Sequence, residues 1–264
     1  MRRNQGGFTL IELILVILVL AIVSTGIVTF IRYGVQTYQD SAGRDQQISD
    51  SRFVIERITR ELRNALPNSV RVTNSGDCVE FIPILASSTY VDIPVLPDAA
   101  SNTVTIVVSS ESFNQDDTKL VVYPLDVSEV YVDGAQTIGK VFNVAPSGYA
   151  DDSDNDNVIT VTLTNSVRFS EESPNQRYFI IRDNVAYCWD TSGDIKRYEN
   201  VSNPPSGTGV LMAENVIKPD ASSQIFTYQG DTLIRNAIVL MDFTFQYSDE
   251  QLRLVNEVNI ANVP

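Results

Sequence analysis

From Phe8 to Ile31 the chain reads FTLIELILVILVLAIVSTGIVTFI, 24 residues with one charged side chain, Glu12. As a helix rising 1.5 Å per residue this run is roughly 36 Å long, enough to cross a bilayer core of about 30 Å. A secretory signal peptide would place small residues after a shorter apolar run. Here Gly6 and Gly7 stand before it, which argues against removal of the apolar part. Arg2 and Arg3 precede the run and the next basic residue is Arg32, a weak bias toward a cytoplasmic N-terminus with the remainder exported. A plain single-pass anchor accounts for the length and the charge. It does not account for Glu12, because a carboxylate near a membrane costs free energy without a partner.

The stretch GGFTLIE, Gly6 to Glu12, resembles the type IV prepilin signature: a short basic leader ending in glycine, a phenylalanine, and a glutamate five residues into the mature chain. The resemblance implies that prepilin peptidase cuts between Gly7 and Phe8 and methylates the new amino group of Phe8. It also implies that Glu12 pairs with the N-terminal amine of a neighbouring subunit. A carboxylate and an ammonium withdrawn from water attract strongly, while either alone is penalised, so such a pair would register one subunit against the next. The run lacks the helix-bending proline common in major pilins and carries Gly26 instead.

Beyond Ile31 the pattern turns amphipathic. Ile48, Ile55, Ile58, Leu62 and Leu66 form one stripe, and Glu56 and Arg60 form an i,i+4 pair on the charged face. Pro67 is a stop signal. A helix from Phe8 to about Ala65 would be roughly 87 Å long, with Gly34 and Gly43 as its weak points. An ordinary amphipathic helix over 45 to 66 fits the same residues. The segment SRFVIERITRELRNA resembles the corresponding stretch of larger minor pilins and of minor pseudopilins of type II secretion.

After Pro67 the helical period gives way to short runs rich in Val, Ile, Tyr, Phe and Thr, separated by Asn, Asp, Gly, Ser and Pro. The expected class is α+β, a long N-terminal pilin helix packed on a mainly antiparallel β head. Two hairpins are predicted, one turning at Asp183 and Asn184 and continuing through TSGDIKRY as a third strand, the other turning around Asp249 and Glu250. Residues 86 to 102 and 143 to 157 read as long surface loops. The expected organisation is 1–7 leader, 8–31 transmembrane or fibre-core helix, 32–66 amphipathic continuation, and 67–264 β-rich head.

Only two cysteines occur, Cys78 and Cys188, too few for a thiolate zinc site. Export permits a single structural disulfide between them; two separately buried thiols are the alternative. In DDSDNDN the alternation of Asp152, Asp154 and Asp156 has a calcium-like spacing of hard oxygen ligands. The pattern lacks the glycine and the final glutamate of an EF-hand, with Asn157 and Leu163 at those places, so a solvated acidic loop is preferred and calcium is the alternative. No other cofactor is expected. Trp189 with Tyr178, Tyr187 and Tyr198 could be drawn as a sugar platform, but alternating aromatics on strands are ordinarily core and cross-strand packing.

The composition narrows the function. There is no histidine, which removes the commonest general base and the commonest neutral metal ligand, and no enzyme constellation stands out. A formal charge of −14 argues against nucleic acid as a partner, which requires a basic surface. No phosphate-binding loop pattern is present. With nearly 200 residues after the helix, and with DCVEFIPI, the cysteine pair and the ending NEVNIANVP, the chain resembles minor pilins of the mannose-sensitive haemagglutinin (MSHA) pilus system. That resemblance implies a non-enzymatic subunit in the inner membrane with a periplasmic head, later at the tip of a surface pilus. Its partners would be prepilin peptidase, the inner-membrane assembly platform, and other minor and major pilins. A minor pseudopilin of type II secretion and a tip adhesin binding a surface glycan are the alternatives.

Overall fold

The computed structural model describes residues 9–109, 113–150, 156–201, 205, 207–220, 222–230, 236–248 and 250–261. The chain divides into two compact units, residues 1–50 and 51–264. One helix, α1 (Leu10–Arg63), contributes to both.

In the first unit the apolar run is helical from Leu10 onward, and its large side chains from Leu10 to Ile31 are exposed. It is long and apolar enough to cross a membrane. The hydroxyls within it are satisfied locally. Thr25 Oγ1 donates to the Ile22 carbonyl and Thr29 Oγ1 to the Thr25 carbonyl, both at 2.8 Å, so neither needs water. Helix continues through Gly26 and Gly34, where a Cβ would meet nothing within 4 Å.

In the second unit α1 turns one stripe inward: Ser51, Val54, Ile58 and Leu62 are buried. Ile55 of the expected stripe is only partly buried, and Val54 takes part instead. The helix ends in tightened turns, Asn64 N–H to Glu61 O and Ala65 N–H to Leu62 O, both 3.1 Å. Leu66, just ahead of Pro67, then donates its N–H to Ile82 O at 2.8 Å. On this part of the helix Glu61 forms ion pairs with Arg57 at 3.1 Å and with Arg197 at 3.0 Å.

Two sheets share the helix stripe. The first contains, in spatial order, Arg71–Thr73, Cys78–Phe81, Val185–Trp189, Ile195–Glu199 and Val210–Ala213. The second is built on the hairpin of Ala237–Tyr247 and Glu250–Ile260, with Phe226–Gln229 and Val216–Ile217 along the other side of its first strand. Val54, Ile58 and Leu62 meet Phe81 and Tyr187 of the first sheet and Met241, Phe243 and Val258 of the second in one core. The C-terminal hairpin sets Tyr247 opposite Glu250, so Glu250 belongs to the second strand rather than to the expected turn. Asp249 itself lies outside the described residues.

The third sheet closes on itself. Strands Ile84–Asp92, Arg177–Ile181, Lys119–Val121, Val141–Tyr149, Val158–Phe169 and Ser101–Val107 pair in that order, and the last pairs back onto the first. The result is a six-stranded antiparallel barrel, filled by Ala86, Tyr90, Val104, Phe142, Val161, Leu163, Phe169 and Tyr178. Phe142 and Phe169 meet edge to face with centroids 4.8 Å apart.

The barrel corrects two expectations. Residues 86 to 102 and 143 to 157 are not long surface loops: much of both belongs to barrel strands, with Ala86, Tyr90, Val144 and Tyr149 directed inward. Polar residues at the alternate positions gave these strands the composition of loops. Nor do Asp183 and Asn184 turn a hairpin. Arg177–Ile181 pairs within the barrel while Val185–Trp189 pairs in the first sheet, so the chain passes from one sheet to the other there. The expected third strand is present: Val185–Trp189 pairs with Ile195–Glu199.

That hairpin is held at its turn by Asp190. Its carboxylate accepts from Lys196 Nζ at 2.6 Å and from the amides of Ser192 and Asp194 at 3.0 and 3.2 Å. Burial opposes ionisation, but Lys196, the Ser192 hydroxyl and these amides outweigh it and hold the carboxyl down to about 2. A folded-state pKa below the unfolded one contributes stability above about pH 4, lost as pH falls toward 2. With the side chain a third exposed, Asp190→Asn is expected to cost under about 1 kcal/mol at pH 7. Denaturation at both pH values checks this: the gap to the parent chain should be mostly gone at pH 2 and close below it.

Candidate functional site

The first turn of α1 organises the expected assembly residue. Thr9 occupies the cap position: its carbonyl accepts from Glu12 N–H at 3.1 Å and Leu13 N–H at 3.2 Å, and its hydroxyl accepts from Glu12 N–H at 3.4 Å. Thr9 and Glu12 are spaced as in a capping box, and a carboxylate in the first turn is favoured by the positive end of the helix dipole. The T-x-x-E spacing was legible in the sequence, and Thr9 is the site residue that sequence reasoning missed.

Around Glu12 the neighbouring helix positions are apolar and open: Ile11, Leu15, Val16 and Val19 are all about half exposed or more. Once such a surface is covered by lipid or another helix, a carboxylate on it needs a cation. Gly7 and Phe8, the expected cleavage and methylation positions, lie outside the described residues.

The other candidates separate from one another. Cys78 and Cys188 are joined, with an S–S distance of 2.08 Å and a Cα–Cα distance of 4.1 Å. They sit directly opposite each other on neighbouring strands of the first sheet. Every barrel strand lies in sequence between Cys78–Phe81 and Val185–Trp189, so the bridge ties the strand that leads into the barrel to the strand that leaves it.

Asp152 and Asp154 lie outside the described residues; Asp156 accepts from Val158 N–H at 2.9 Å. Among the described residues no group of three or more His, Cys, Asp or Glu is placed to hold a metal ion. The aromatic residues do not form one platform. Tyr178 is buried in the barrel core and Tyr187 in the helix-side core. Trp189 donates its indole N–H to Val216 O at 2.8 Å, and Lys218 lies 4.6 Å from its ring centroid.

A buried polar cluster, unforeseen in the sequence, marks the crossing between barrel and first sheet. Arg71 donates from Nε and Nη2 to Glu80, both at 2.9 Å, and its guanidinium lies 3.7 Å over the Tyr131 ring. Asn184, at the crossing, also donates to Glu80 and exchanges two hydrogen bonds with the Val201 backbone. Tyr131 donates its hydroxyl to Ser69 O at 2.7 Å. Burial raises the Tyr131 phenol pKa, with Glu80 adding to the effect and Arg71 opposing it, so the ring stays neutral.

In comparison with known proteins, residues 2–28 match the prokaryotic N-terminal methylation motif. Searches of curated proteins and of solved structures found no match. The matched segment spans the basic leader, Gly7, Phe8, Glu12 and most of the apolar run. It supports a type IV pilin-like prepilin, a substrate of prepilin peptidase with a membrane-anchoring N-terminal helix.

Proposed function

We propose that the chain is a structural minor pilin of an MSHA-type pilus, most like the MshO minor pilin, acting in initiation or at the tip of the fibre. The observation that carries the reading is the methylation motif over 2–28, coinciding with an uninterrupted apolar helix that opens at Thr9 and presents Glu12 on an exposed apolar surface. Prepilin peptidase removes residues 1–7 and methylates Phe8. The helix anchors the prepilin in the inner membrane with the head in the periplasm. On assembly, Glu12 takes the methylated amine of a neighbouring pilin as its cation, and the pair sets the axial position of one subunit on the next. The β head, residues 67–264, is then displayed at the surface and supports attachment.

Glu12→Ala tests the registry role. Leader removal, Phe8 methylation and membrane insertion are expected to be unchanged, read by N-terminal mass spectrometry of the membrane fraction. Incorporation into sheared fibres should fall about tenfold or more, because the partner amine is left without its anion in a low-dielectric core. Incorporation equal to that of the parent chain would remove the role from Glu12, and an intact leader in the presence of active peptidase would remove the prepilin reading itself.

A further inference from the structure

The last strand of the head, Glu250–Ile260, pairs only with Ala237–Tyr247 among the described residues. Among those residues its other edge is open. Exposed edges template further strands, and proteins ordinarily blunt them with charged side chains, lysine above all, or with proline, a bulge or shortness. This strand is eleven residues long, EQLRLVNEVNI, with neither lysine nor proline and with no register shift against its neighbour.

Which backbone groups the open edge presents is set by the hairpin. Tyr247 and Glu250 bracket a two-residue turn and form a hydrogen-bonded pair, so Glu250, Leu252, Leu254, Asn256, Val258 and Ile260 spend their amides and carbonyls inward. Gln251, Arg253, Val255, Glu257 and Asn259 direct theirs to the open side. All five side chains lie on the exposed face, and Val255 is 54% exposed.

These five residues complement themselves about Val255. We infer that the open edge of Glu250–Ile260 is a self-association surface, on which a second copy of this chain adds its own Glu250–Ile260 strand antiparallel about a two-fold axis at Val255. In that register Arg253 lies opposite Glu257 twice, Gln251 opposite Asn259 twice, and Val255 packs on Val255. About ten backbone hydrogen bonds form across the seam, and the two C-terminal sheets become one.

The charges single out this occupant. Arg253 donates Nε and Nη2 to Asp242 on its own sheet at 2.8 and 2.6 Å, which leaves Nη1 for a carboxylate across the seam. Among the described residues Glu257 makes no ion pair within its own chain, and the two-fold supplies one. Parallel in-register pairing would set Arg253 against Arg253 and Glu257 against Glu257, which disfavours it. The inference does not depend on the prepilin reading, since it rests on the head alone.

The test uses the full chain in detergent micelles, in tagged and untagged copies. The tagged parent should capture the untagged parent, and the amides of 251, 253, 255, 257 and 259 should gain protection from deuterium exchange as concentration rises. Arg253→Glu and Glu257→Arg each set like charges opposite twice, so homotypic capture by either variant should weaken about tenfold. Tagged Arg253→Glu should nevertheless capture untagged Glu257→Arg as the parent captures itself, because that mixture restores both opposed pairs; this also shows that neither variant has merely misfolded. Parent copies that stay monomeric, capture indifferent to either charge reversal, or a mixture that fails to rescue would each overturn the inference.

Discussion

Replacing both Cys78 and Cys188 by alanine is expected to lower the unfolding free energy of the head by about 4 kcal/mol. The bridge closes a loop of 110 residues, for which the chain-entropy model gives about 4 to 5 kcal/mol. Its placement explains why this loop is the one to close. The sheet that packs on the helix is interrupted in sequence by the whole barrel, and the strands on either side of that interruption, Cys78–Phe81 and Val185–Trp189, must find each other across all of the barrel's residues. The covalent link keeps the two ends of the insertion together in the unfolded ensemble, so less entropy remains to be lost. Urea denaturation of fragment 33–264, followed by far-ultraviolet circular dichroism, measures the loss. The slope of free energy against denaturant should steepen as the unlinked unfolded chain exposes more surface. A loss below about 1 kcal/mol would show that the bridge constrains little.

Arg71→Ala is expected to cost about 3 kcal/mol, the second large effect. Glu80 is 1% exposed and depends on Arg71 for two of its hydrogen bonds; without the guanidinium its charge keeps, among the described residues, only the Asn184 amide. Removing one partner of a buried pair leaves an uncompensated charge, worth about 3 to 5 kcal/mol when water is excluded. The Arg71 side chain is 31% exposed, so water can enter where it stood and the lower end of that range applies. The variant also removes the cation from the face of Tyr131. The double change Arg71→Met with Glu80→Leu should recover most of the loss, because it removes the charge together with its partner. Denaturation of the single and double variants measures the coupling, and additive losses would show that Glu80 does not rely on Arg71.

Both effects arise where the barrel joins the sheet that packs on the helix, and this junction was the part of the fold least legible in the sequence. Arg177–Ile181 and Val185–Trp189 each carry four or five consecutive buried or partly buried residues. Strands covered on both faces lose the alternation that assigns a face, and two of them so close in sequence look like a hairpin. Which sheet each joins depends on partners about a hundred residues earlier: Ile84–Asp92 for one, Cys78–Phe81 for the other. Local pattern carries no record of that choice. The C-terminal hairpin was legible to within one residue because both of its strands and its turn are local.

The candidate assembly site shows the same division. Glu12 and the glycine and phenylalanine ahead of it stand out because an isolated acid in an apolar run breaks a one-dimensional pattern. The Arg71, Glu80, Asn184 and Tyr131 cluster does not stand out, because its members are spread over more than a hundred residues and none is unusual where it stands.

The long apolar helix, its amphipathic continuation to just before Pro67, the β character of the head and the prepilin-like signature at the start were all set by the linear order of residues. Each rests on periodicity or composition within a few turns or strands, where local sterics and hydration decide. Three further features took shape only in the folded chain: the middle of the head closes into a barrel, the two cysteines lie opposite each other at its point of insertion, and the last strand, among the described residues, pairs along one edge alone. Those outcomes depend on which strands become neighbours, and backbone hydrogen bonds alone do not distinguish one strand partner from another. The choice falls to side chains far apart in sequence, which meet only once the core has formed.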